Sequence, residues 1–224
     1  MIRILAGSAL LLGTALPLAA CGGSSGGSAS GPTLGQEFPK IKAAAQSAKS
    51  VRMSGHVLQN GQSISLDMAF AKPGSASGTV SEGGSGYDLV VTPGKDYVKI
   101  NQSFLQASHL PAAVCARACG KYYAVPAAQA SSFAGLTMTS LVDGIFKHGP
   151  NASESAIKLS HATFHGQPAW TGSDGTYRVY IARGGQPYLL SLTGKNGQSV
   201  TFSDWNAVTI SPPPASQVIT AAGL

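Results

Sequence analysis

The chain is short of charge. Asp, Glu, Lys and Arg make up 11% of its 224 residues, well under the quarter or so usual in soluble domains. Ser, Thr, Gly, Gln and Ala take their place, a composition common in exported envelope proteins. The nine acidic residues show no clustering into the close carboxylate pair that acid–base catalysis needs. The fifteen basic residues are scattered, with no Lys/Arg run and no interleaved aromatics, which argues against a nucleic-acid-binding face. A mild attraction to anionic headgroups is the more natural reading of a formal charge of +6. Cysteine is scarce, at three residues, and His109 and His148 near the internal pair show no ligand spacing, so no metal or other cofactor is expected. A long uninterrupted apolar run is missing too. Ile4 to Ala20 is broken by Gly7, Gly13 and Pro17, falls short of a membrane span, and behind the basic Arg3 reads as an export signal.

What stands at the end of that signal is more specific. Leu18-Ala19-Ala20-Cys21 resembles the bacterial lipobox, small residues ending at a cysteine that takes diacylglycerol on its sulfur. Residues 1–20 are then a lipoprotein signal peptide, and 21–33 are the lipidated Cys21 and a Gly/Ser tether with a reach of roughly 20 Å. Two or more acyl chains, at about 0.8 kcal/mol per buried methylene, hold firmly. The expected location is the extracytoplasmic face of the cell membrane, lipid-anchored. Residues 34–224 are one domain's worth, enough for a core.

With Cys21 assigned to lipid, Cys115 and Cys119 remain in "AVCARACGKYY". An even remainder in an oxidising compartment indicates a disulfide. Closing so short a loop contributes about 2 kcal/mol in the chain-entropy model. A regular helix would hold the two side chains parallel, so a helix end or turn is expected there.

The order of elements follows from periodicity. "LGQEFPKIKAAAQSAKSV" carries Leu34, Phe38, Ile41, Ala45 and Ala48 at helical spacing, with Pro39 expected in the first turn. The period then changes to two. "SVRMSGHVLQNGQSISLDMAFAKPG" reads as a hairpin around Asn60-Gly61, its second strand placing Ile64, Leu66, Met68 and Phe70 on one face. Short strands follow in "SGTVSEG", "GYDLVVTPG", "DYVKIN" and "KYYAVP". A second helical stretch is expected at about 127–148, with Phe133, Leu136, Leu141, Val142, Ile145 and Phe146 on its apolar face. Strands return in "AIKLSHATFHGQPAW", "TYRVYIARG", "PYLLSLTG" and "SVTFSDWNAVTI", and "SPPPASQV" cannot continue a central strand. The fold class is therefore α+β: a strongly curved antiparallel sheet of about ten strands, a half-barrel, with a few helices on its concave face. The apolar stripe, Ile64, Leu66, Met68 and Phe70 with Leu89, Val91, Val179 and Ile181, would be met by Leu141, Ile145 and Phe146 from the helix. An apolar concavity that helices only partly fill is the usual form of a lipid or small-molecule site.

Catalytic motifs give no support. Gly22-Gly23-Ser24-Ser25-Gly26 matches the serine-hydrolase elbow but lies in the tether, with no strand before it. Ser155 and Lys158 fit S-x-x-K without its companion motifs. His161 and His165 sit in an alternating segment, about 13 Å apart along a strand, and read as turn or surface histidines. No catalytic residues and no metal ligands are assigned, and an enzyme is not expected.

The sequence of elements, with "GKYYAVP" before the mid-chain helix, "RVYIARGGQPYLLSLTG", and the ending "SVTFSDWNAVTISPPP", resembles the LppX/LprG-type mycobacterial lipoproteins, which share the half-barrel of the lipoprotein carrier LolA. The resemblance covers roughly 34–218. It implies an apolar cavity that carries a lipid, glycolipid or acylated ligand through the envelope, or alternatively a half-barrel that binds an envelope protein partner as a sensor or scaffold. The Cys115/Cys119 pair and the short connection in "SEGGSGYD" depart from the group.

Overall fold

The computed structural model describes residues 31–59, 61–83, 85–194 and 197–220. The expected signal peptide, Cys21 and most of the tether lie outside them. Helix α1 (Leu34–Ser47) begins at Thr33, whose Oγ1 accepts from Gln36 N at 3.3 Å while Gln36 Oε1 accepts from Thr33 N at 2.9 Å. This reciprocal cap stabilises the helix start by about 1 kcal/mol. Ile41, Ala44 and Ala45 form its buried face. Pro39 lies one turn deeper than the sequence suggested, inside a helix that runs on through it at the loss of one intrahelical bond.

Among the described residues twelve strands follow: β1 (Ser50–Gln59), β2 (Gln62–Ala71), β3 (Ser75–Glu82), β4 (Ser85–Thr92), β5 (Lys95–Lys99), β6 (Tyr122–Ala124), β7 (Ser160–Phe164), β8 (Gln167–Ser173), β9 (Tyr177–Ala182), β10 (Leu189–Gly194), β11 (Ser199–Ser203) and β12 (Val218–Ile219). They form one sheet in the order β12-β6-β5-β4-β3-β2-β1-β11-β10-β9-β8-β7. The sheet is curved and unclosed, an α+β half-barrel as expected. Neighbours are antiparallel except β12 and β6, which run parallel. Two runs of hairpins meet at the seam where β1 pairs with β11.

Two glycines explain how the sheet coils. Gly55 in β1 and Gly78 in β3 both have φ +146°. A Cβ at Gly55 would land on the Ser199 carbonyl, and one at Gly78 on the Asp67 carbonyl. The adjacent strand's backbone occupies the space a side chain would need, so only glycine fits these strand interiors.

Helix α2 (Gln102–Ala107) and the single turn α3 (Cys115–Ala118) lie between β5 and β6. Cys115 opens α3 and Cys119 follows its last residue in extended conformation; the two are disulfide-bonded with their Cα atoms 4.6 Å apart. The bridge therefore sits at a helix end, as its short spacing requires. Ile100, Leu105, Val114 and Ala118 make a second small core there, against which Tyr123 and Ile219 pack. The helical stretch expected at 127–148 is two elements. A 3-10 segment (Ala127–Phe133) is followed by a break, and α4 (Met138–Phe146) starts afresh where Thr137 Oγ1 accepts from Ser140 N at 3.0 Å. Apolar spacing alone did not register that new cap. A further turn, α5 (Ala152–Ser155), precedes β7.

The strand expected to reach Ile210 ends at Ser203. Asp204 and Asn206, with φ of 51° and 64°, turn the chain in the left-handed region that these residue types tolerate. Asn206 Oδ1 accepts from Lys49 N at 2.6 Å, its Nδ2 donates to Tyr188 Oη at 2.7 Å, and Val208 N donates to Ser50 Oγ at 2.9 Å. From this latch the chain crosses the convex face as a strap, where Thr209, Ile210 and Ser211 line a groove with Ser77, Thr79, Asp88 and Val90. Val90, which alternation assigns to solvent, is buried under it. The prolines at 212–214 keep the strap out of the sheet until β12 joins the β6 edge.

Candidate functional site

The strand registers place the apolar residues of the concave face in rows that cross the sheet. Val91, Ala76, Phe70 and Val51 form the innermost row, each 7% exposed or less. Next come Val98, Leu89, Gly78, Met68, Met53 and Phe202, all buried but for Gly78 and the half-buried Met53. The third row is Tyr87, Val80, Leu66, Gly55, Val200, Leu192 and Val179. Here burial fails: Leu192 is 40% exposed and the rest are half-buried. Ile64 and Val57 lie half-buried one row further out, and Tyr177 opens β9 at 40% exposure.

The gradient runs the same way on every strand because the helices stop short. Ile41, Ala45 and Ala48 from the α1 segment, and Met138, Val142 and Phe146 from α4, pack with the two inner rows in one core. Phe38 and Phe146 meet with ring centroids 5.7 Å apart. Burying each such side chain contributes about 1.5–3 kcal/mol, so the inner half holds the fold together. The outer half contributes less, being only partly removed from water.

Of the residues singled out from sequence, Met68, Phe70, Leu89, Val91, Phe146 and Ile181 are core. Leu66, Leu141, Ile145 and Val179 are half-buried around it, and Ile64 is on the outer margin. The strands do face the same way, and their residues lie on one surface, while Leu141, Ile145 and Phe146 meet the core from α4. Met53, Val57, Val80, Tyr87, Leu192 and Val200 belong to that surface and were missed. In β1 and β3 the period of two is broken by Gly55 and Gly78. Tyr87 and Val200 do alternate with Leu89 and Phe202, and Leu192 follows the apolar pair Leu189–Leu190, so for these three the signal was present in the sequence. Cys21 lies outside the described residues.

Two depressions on the described surface are open grooves rather than cavities. One, of about 530 Å³, is lined by Gln62, Ser63, Ser65, Ser81, Glu82 and Gly83; the other is the strap groove of about 410 Å³. Neither is centred on the apolar rows. Asp96 on β5, paired in register with Val91, is 8% exposed, and burial holds its carboxyl above the ordinary carboxylate range. On the opposite face Arg52 Nη2 donates to Asp67 Oδ2 at 2.6 Å, which raises the guanidinium pKa further. Both groups are about half exposed, so the pair contributes only about 0–1 kcal/mol. Among the described residues no three His, Cys, Asp or Glu gather as a metal site, and no described helix is long and apolar enough to cross a membrane. His161 stands on β7 and His165 in the β7–β8 turn with φ 47°. Ser155 Oγ donates to the Pro150 carbonyl at 3.2 Å.

No protein-family model matches the chain, and no curated protein does. Among solved structures it is similar to an uncharacterized conserved protein from Thermus thermophilus, with a TM-score of 0.34 and 11% identity over 83% of this chain and 98% of that one. It is also similar to MucB, at TM-score 0.29 and 12% identity over 84% of this chain and 63% of that one. The same protein in complex with MucA(peri) gives a TM-score of 0.30 and 12% identity over 84% and 62% of the two chains. Likeness at this level carries no functional conclusion to the present chain. The class of protein is defined by the half-barrel with its half-covered concave face.

Proposed function

We propose that the chain is a non-enzymatic, lipid-anchored extracytoplasmic binding protein. Its open apolar row takes the acyl chain of a lipid, glycolipid or acylated ligand and carries it through the cell envelope. The observation that supports this is the burial gradient: an apolar surface is built across seven strands and is only half covered on one side, where Leu192 reaches 40% exposure. From Tyr87 to Val179 the row spans six interstrand spacings, roughly 29 Å at about 4.8 Å each. One leaflet's hydrocarbon is about 15 Å thick, so an acyl chain has room to lie along it.

A second reading has its own support. The described surface is open rather than an enclosed pocket, which suits an apolar segment of an envelope protein partner laid across the row. Native mass spectrometry decides between them, using residues 21–224 with Cys21→Ser, purified from an envelope-bearing host and offered lipid. A stoichiometric lipid that is lost in Leu66→Trp and Leu192→Trp supports the carrier. A clean apo mass that takes up no lipid refutes it and turns the search to a protein ligand of the same row.

A further inference from the structure

The point at which the tether enters the domain is well defined. Pro32 O accepts from Leu159 N, and Leu34 N donates to Ile157 O, both at 2.9 Å. A Cβ on Gly31 would sit 3.1 Å from Trp170 Cζ3. Gly31 therefore lies against the Trp170 indole, at the β7 edge of the sheet. Nine residues of the sequence lie between Cys21 and Gly31.

A cationic and aromatic cluster stands at that point. The Arg183 guanidinium lies 5.5 Å from the Trp170 ring centroid, and the His161 ring is 4.7 Å from the same indole. Arg183 Nη1 is 3.4 Å from His161 Nε2, which accepts when the ring is neutral. His161 and Arg183 are exposed while Trp170 is half-buried. At the adjoining hairpin tip, on the other face of the same strands, Phe164 meets His165 at 4.3 Å and Tyr180 at 4.8 Å, so the edge carries aromatic side chains on both faces. Lys158, beside the tether, is also exposed. The nearby acids are engaged elsewhere. Glu154 closes the α5 cap with Asn151, and Asp174 accepts from Thr176 N and Tyr177 N in the β8–β9 turn. An aromatic body with a solvated cation laid over it is the arrangement that suits the headgroup layer of a membrane. Anionic lipid adds attraction of about fivefold in partitioning per cation near the surface.

We propose that this edge, Trp170 with Arg183 and His161 and the Phe164–Gly166 tip, is the surface on which the domain rests against an anionic lipid bilayer. The orientation rests on lipid anchoring at Cys21, but the contact itself needs no acyl group. It acts as a second attachment that turns a tethered domain into an oriented one.

The test uses residues 21–224 with Cys21→Ser. Flotation is measured with phosphatidylcholine vesicles and with vesicles carrying about one-third phosphatidylglycerol, enough to give the strongly anionic surface the contact needs, at low and high salt. Arg183→Gln is compared with Lys95→Gln, an exposed cation at the start of β5, far along the sheet. The expected result is salt-sensitive binding to the anionic vesicles only, reduced about fivefold by R183Q and left unchanged by K95Q. Brominated lipid should quench a component of the emission that W170F removes. Equal binding to both vesicle types, equal loss in the two charge variants, or no quenching assigned to Trp170 would each overturn the proposal. Acyl uptake on the concave row is read separately by mass spectrometry, so either idea can fail while the other stands.

Discussion

Replacing Gly78 with alanine tests the account of sheet coiling directly. The new Cβ would fall on the Asp67 carbonyl oxygen and 2.8 Å from Met68 Cα, both backbone atoms of β2. No flexible side chain is there to yield. The φ of +146° is a conformation that alanine adopts only at a cost of about 1–3 kcal/mol, and forcing strands apart in a packed region adds a further cost of about 1–3 kcal/mol. The sum is about 4 kcal/mol, or a fall in Tm of about 8–16 °C for a domain of this size. Gly74→Ala is the matched control. A Cβ there meets nothing within 4 Å and its φ is outside the left-handed region, so it should be neutral or stabilising by about 0.4–1 kcal/mol. Urea denaturation followed by circular dichroism, with the disulfide intact, gives both numbers. A Gly78→Ala variant no less stable than the natural chain would refute the reasoning, because the β2 backbone could not then be where the structure has it.

Two other perturbations reach different parts of the molecule. Reducing the Cys115–Cys119 bridge, or replacing Cys119 with Ser, should lower stability by about 2 kcal/mol and speed proteolysis within residues 101–121, where the bridge staples the second small core; unchanged urea midpoints with and without reductant would contradict this. Asp96 carries a pH signature. Its folded-state pKa is raised by burial from an ordinary value of 3.8, so its contribution to stability is fully present below that value and is lost as pH climbs through the raised one. Asp96→Asn should therefore gain on the natural chain when the comparison moves from about pH 3.5 to about pH 7, and a difference that is the same at both would exclude a buried, titrating Asp96.

Much of the candidate site was legible because its cause is local. In β2, Ile64, Leu66, Met68 and Phe70 alternate with Ser63, Ser65 and Asp67, and that pattern alone puts the four on one face. The same holds for Leu89 with Val91 and for Val179 with Ile181. Which of them are covered was not legible, since the answer depends on where α1 and α4 end above the sheet. Phe70 and Ile64 look alike in sequence; one is core and the other marginal. In β1, Gly55 interrupts the alternation between Met53 and Val57, and that strand's contribution passed unnoticed.

By itself the sequence determined what short-range chemistry dictates: the helix that opens the domain, the chain of hairpins, the cysteine pair at a helix end, and an α+β sheet with one apolar face. Each depends on residues within a turn or a strand pair of one another, where sterics and periodicity leave few choices. Only the tertiary structure decided the β1–β11 seam, the strap latched by Asn206 to Lys49 and Tyr188, the parallel β12 edge, and the half-covered row from Tyr87 to Val179. These join residues far apart in the chain, and their geometry comes from the coiling of the whole sheet and the reach of two helices rather than from any local pattern.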